Sequence, residues 1–164
     1  MIRFEADLLP RRRDRLLELF LEGLALPGDG ADAELLRASS LSQLGELCKV
    51  LRYELGAYTW RVLASVCDVL RVRSASAEAE LRRAAAVLLG LVFDAGDVDL
   101  TRLAEGGVLK ELHAILRVTA AADSDEVVRR HAEHALTLFD ERVRQSLLPG
   151  EFALFPGSQR RTFT

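Results

Sequence analysis

The sequence predicts an all-α fold of about three helix pairs, and three observations predict it. First, one pattern occurs three times: LLRASSLSQLGEL at 35–47, ELRRAAAVLLGLV at 80–92 and VVRRHAEHALTLF at 127–139. Aligned on Arg37, Arg82 and Arg129, the copies place Leu36, Leu81 and Val128 one residue earlier. Ser40, Ala85 and Ala132 follow at three positions, Leu44, Leu89 and Leu136 at seven, and Leu47, Val92 and Phe139 at ten. Second, the copies lie 45 and 47 residues apart. A helical period of about 40–47 residues is the signature of a HEAT/armadillo-type α-solenoid. Third, no strand signal competes, because β-branched residues are scattered and no alternating run occurs.

The elements follow in order. Leu16, Leu17, Phe20, Leu21 and Leu24 form an apolar stripe that predicts a first helix over 11–25. Pro27-Gly28-Asp29-Gly30 breaks it. Asp32 is the expected cap of a second helix over 32–55, with Leu36, Ser40, Leu44, Leu47 and Leu51 inward and Gly56 as its stop. A third helix over 57–72 turns Trp60, Leu63, Cys67 and Leu70 to one face. Ser74-Ala75-Ser76 makes a turn, and a fourth helix spans 78–93 until Asp94-Ala95-Gly96-Asp97. A short helical turn is expected at 100–104, before Gly106-Gly107. A fifth helix over 108–120 points Val108, Leu109, Leu112, Ile115 and Leu116 inward. Asp123 or Ser124 is the expected cap of the last helix, 125–147. Repeats are thus expected at about 11–55, 57–93 and 100–148, making residues 1–149 one unit. Residues 150–164 lack helical periodicity and read as a flexible tail.

Composition narrows the function classes. The chain has 164 residues, 49% hydrophobic and 29% charged, so it is too apolar for a disordered chain. Its net charge of −3 argues against a nucleic-acid binder that relies on bulk positive charge. Cys48 and Cys67 sit within apolar helical patterns and read as buried, reduced thiols. Arg3, Glu5 and Asp7 interrupt the start before an apolar signal core forms, and no run approaches the roughly 20 apolar residues of a membrane span.

Beyond the repeat, RASSLSQLGELCKVLRYELG (37–56), LRRAAAVLLGLV (81–92) and DEVVRRHAEHALTLFDERVRQSLLP (125–149) resemble the C-terminal region of the Transport and Golgi organization protein 6 family. The resemblance covers roughly 35–149. That family includes the yeast factor for nuclear import of RNA polymerase II, and its members are much longer HEAT-repeat proteins. The resemblance implies part of a longer chain, present as a fragment, short isoform or truncated gene product. It implies a role in protein secretion and Golgi organisation, or in RNA polymerase II assembly and import. The partners it implies are proteins, either polymerase subunits or trafficking components. The location it implies is cytoplasmic, Golgi-associated or nucleocytoplasmic. It supplies no catalytic residue.

Candidate residues divide by role. Arg37, Arg82 and Arg129 recur with the repeat and are expected to bond acidic side chains or turn carbonyls of neighbouring repeats, with Asp32, Glu78 and Asp125 as partners. Second helices line the concave face of HEAT arrays, so Glu46, Lys49, Arg83, Arg130, Glu133 and Glu141 are the candidates for partner binding. Their mixed sign suits a protein better than a phosphate backbone. Arg11-Arg12-Arg13 with Arg15 is a basic cluster at a helix start, read as an exposed terminus rather than an import signal or lipid contact. His131 and His134 stand at i, i+3, but a zinc site needs three or four ligands, so no metal or cofactor is expected. Ser39, Ser40 and Ser42 lack the glycines of a nucleophile elbow, and Gly106-Gly107 with Lys110 lacks the spacing of a phosphate loop. The reading is a non-catalytic scaffold. The alternative is a purely structural cap of a longer solenoid that binds its partners upstream. In the tail, Phe152, Phe155 and Phe163 near Arg160 and Arg161 form a candidate docking motif, but the favoured reading has Leu154 and Phe155 cap the last repeat and leaves the last six residues disordered.

Overall fold

A computed structural model describes residues 8–27, 30–51, 55–71, 79–95 and 107–147. Among these residues the fold is all-helical. The helices are α1 (Leu8–Leu24), α2 (Ala31–Val50), α3 (Thr59–Arg71), α4 (Ala79–Ala95), α5 (Val108–Ala122) and α6 (Glu126–Leu147), with a 3-10 turn at Gly56–Tyr58. The helical turn expected at 100–104, the Ser74-Ala75-Ser76 turn and the tail from 150 lie outside the described residues.

Packing follows the repeat. Helix α1 packs on α2, α3 on α4, and α5 on α6. The first helices also meet in chain order, α1 with α3 and α3 with α5. The second helices do the same, α2 with α4 and α4 with α6, and the broadest contact joins α4 to α6. One apolar core runs through all six helices. The repeated motif occupies equivalent places in it: Ser40, Ala85 and Ala132 are buried, as are Leu44, Leu89, Val92 and Phe139. Small residues at that first position let the helix backbones approach closely. Phe93 and Phe139 meet edge to face, 5.4 Å between ring centres at 74°.

Several boundaries and orientations differ from the pattern. Helix α2 ends at Val50, short of the expected residue 55. Leu51 donates its N–H to Leu47 O, and Leu55 is buried ahead of the 3-10 turn. Gly56 is at φ 55°, a left-handed conformation that costs glycine little, and the Thr59 hydroxyl donates to Gly56 O at 2.9 Å. Trp60, expected inward, is 54% exposed, while Leu63, Cys67 and Leu70 are buried as expected. It lies in the first turn of α3. Asp32 does not cap α2: Gly30 occupies that place in extended conformation, with no side-chain cap, and Asp32 sits exposed within the first turn. Leu36, expected in the buried stripe, is 48% exposed. Leu16 is exposed as well, while Leu17, Leu21 and Leu24 are buried and Phe20 packs partly on the core.

Candidate interaction surface

The joint between the second and third helix pairs is ionic. Arg82 leaves α4 with 1% of its side chain exposed and forks onto Asp123 in the α5–α6 turn. Its Nε donates to Asp123 Oδ2 at 2.9 Å, and its Nη2 to Oδ1 at 3.1 Å and to Ser124 Oγ at 3.5 Å. Beside it, Arg83 donates to both carboxylate oxygens of Asp125, at 3.0 and 2.5 Å, and to Glu80. Asp125 is the cap of α6: its Oδ1 accepts the Val128 N–H at 2.9 Å and its carbonyl accepts the Arg129 N–H. Asp123, one of the two expected caps, instead accepts the Asp125 N–H at 2.9 Å and braces the turn. The capping side chain must directly precede the helix, and α6 begins at Glu126.

These contacts set the local charges. Arg83, then the Val128 N–H, hold the Asp125 carboxyl below the usual range. Burial pushes Asp123 up, but Arg82 and the Asp125 N–H outweigh it, and its carboxyl also lies below its ordinary value. The other two repeated arginines bond within their own hairpins. Arg129 donates to Asp123 O at 2.7 Å, and Arg37 to Leu26 O at 3.3 Å. Among the described residues Arg82 thus pairs with Asp123, which the repeat pattern did not single out. Asp125 serves the neighbouring Arg83, and Glu78 lies outside the described residues. At the far end, Arg142 of α6 donates to the carbonyls of Phe93 and Asp94, at 2.8 and 2.9 Å, and closes the C-terminus of α4. Ties at both ends make α4 and α6 parallel neighbours.

The second helices carry the candidate binding residues as follows. On α2, Glu46 and Lys49 are exposed and paired to each other at 2.6 Å. On α4, Arg83 is one-third exposed and engaged as above. On α6, Arg130 is exposed and paired with Glu126, while Glu133 and Glu141 are exposed. All six therefore reach solvent, yet Arg83 also holds the joint.

The first helix pair exposes apolar surface, Leu16 among it at 40%. Between α1 and α2 runs an open groove of about 380 Å³ lined by Leu19, Phe20, Gly23, Leu26, Leu36 and Ser40, among others. Leu19 is 58% exposed and Leu26 41%. Leu36 occupies the register position at which Leu81 and Val128 are buried in the later pairs. Leu36 belongs to the first of the three copies.

Other expected chemistry is dispersed. His113 faces Asp140, Nε2 to Oδ1 3.7 Å, and its ring lies 5.9 Å from Phe139. His131 is half-buried and His134 exposed. Among the described residues, no three His, Cys, Asp or Glu side chains are grouped to hold a metal ion. Cys48 and Cys67 are buried, and burial pushes their thiols up to about 11 and about 12. Among the described residues, no helix is long and apolar enough to cross a membrane. No family model and no solved structure matches the chain.

Proposed function

We propose that this chain is a segment of a HEAT-like α-solenoid that works as a non-catalytic scaffold, docking a protein along the row α2, α4, α6. One observation carries the reading. First helices touch first helices and second helices touch second helices, in chain order, with a hairpin partner for each. Arrays held by neighbour contacts of this kind act through an extended surface. The exposed charges on the second row, Glu46, Lys49, Arg130, Glu133 and Glu141, are of both signs and suit a protein of matching mixed charge. The sequence resemblance adds the partner class, RNA polymerase II subunits or components of the trafficking machinery, and with it membership of the Transport and Golgi organization protein 6 family. The test is a capture experiment with the folded chain and a variant reversing Glu46, Arg130, Glu133 and Glu141. The expected result is polymerase or coat subunits on the wild type and their loss on the variant, with both melting alike. Equal capture by both would overturn the reading.

The second reading, a structural cap of a longer solenoid, rests on Leu36. The equivalent leucine and valine of the later pairs are buried, so this end of the array has the form of a face made to be covered.

A further inference from the structure

The outer face of α1 carries a charge order that fits its own copy. Arg12, Arg15, Leu16, Leu19 and Glu22 recur at helical spacings on the side away from buried Leu17, Leu21 and Leu24. The arginines occupy the N-terminal half, Glu22 the C-terminal half, and Leu16 and Leu19 lie between them. Among the described residues, Arg12 and Arg15 make no hydrogen bond or ion pair. Glu18, by contrast, is held by Arg61 across to α3, with one bond of 2.8 Å.

A helix whose charge runs from positive to negative repels its copy side by side in parallel and attracts it in antiparallel. With a two-fold axis level with Leu17, Arg12 of one copy stands beside Glu22 of the other, and Arg15 beside Leu19. At a rise of about 1.5 Å per residue, Arg12 and Glu22 lie roughly 15 Å apart along the helix. The two ion pairs then flank a central patch made by Leu16 and Leu19 of both copies. A two-fold contact uses one patch twice, so each favourable pair counts twice. The adjoining groove supplies more apolar surface from Leu26 and Leu36. Exposed leucines rimmed by charge are the usual composition of such contacts.

We propose that this face is a self-association surface, on which a second copy of the chain packs with α1 antiparallel to α1 and Arg12 against Glu22. The surface is separate from the α2, α4, α6 charges, so its loss leaves partner capture intact. Sedimentation velocity of the full chain from about 1 to about 100 µM tests it. The wild type should dimerise with concentration. Arg12→Glu and Glu22→Arg should each raise the dissociation constant roughly tenfold or more, because symmetry doubles each repulsion. The double variant R12E/E22R should return it to within about threefold of wild type, a rescue that general stickiness does not give. Leu19→Glu should give a monomer with unchanged circular dichroism. A wild type that stays monomeric, single reversals without effect, or a double reversal that fails to rescue would each overturn the proposal. A preceding helix pair would then be the better occupant of this face.

Discussion

Arg82 enters the interior with its charge and meets Asp123 there, the two side chains 1% and 5% exposed. Removing one member of a buried pair leaves the other uncompensated, which costs about 3–5 kcal/mol. Arg82→Ala is therefore expected to lower the unfolding free energy by about that much in urea titrations. Arg130→Ala, which removes an exposed pair one helical turn apart, should change it by no more than about 0.5 kcal/mol. The carboxylates add a pH dependence. Asp123 and Asp125 are both depressed in the fold, so the unfolded chain binds more protons than the native one in acid. Their contribution is complete above about pH 4, the ordinary aspartate range, and is lost as pH falls through the lower folded values. Urea midpoints between pH 7 and pH 2 should fall more steeply for wild type than for Asp123→Asn. The register of Arg82 was legible in the sequence, but its partner was not. Asp123, Ser124 and Asp125 offer three acceptors in succession, and only the start of α6 at Glu126 decides which one caps the helix and which one faces Arg82.

Helix pairing depends on small residues where backbones approach. A Cβ on Gly23 would stand 2.2 Å from Ser40 Oγ and 3.1 Å from Ser40 Cβ. Gly23→Ala is expected to cost about 1–3 kcal/mol by overpacking, although alanine is the better helix former. Adding Ser40→Ala should recover part of that loss, since only the 3.1 Å contact then remains. Gly90 is the control. Its Cβ would sit 3.7 Å from His134 and 3.9 Å from Ala135, so Gly90→Ala should be neutral or stabilising by up to about 1 kcal/mol. Chemical denaturation of the three variants checks all of this. At this scale the 3.6-residue period located every described helix, because Leu17, Leu44, Leu63, Leu89, Leu112 and Ala132 each face one core. Trp60 and Leu36 escaped it, because periodicity assigns a face to a helix but not the neighbour that covers each turn.

Among the described residues, each helix pair packs together, and first helices also meet first helices and second helices second helices in chain order. The threefold motif made the three pairs legible, since each copy falls on a second helix. The outward surface was less legible: charges such as Glu46 and Glu141 obey no packing constraint that sequence alone exposes. The central claim is that the second row docks a protein, and carboxylate footprinting by carbodiimide tests it most directly. The chain is labelled alone and in complex with its captured partner, and modification is read at each acidic side chain. The account predicts strong protection of Glu46, Glu133 and Glu141, with Glu22 on the outer face of α1 no more protected than in the free chain. Unchanged labelling of those three residues in a complex that has formed would contradict it.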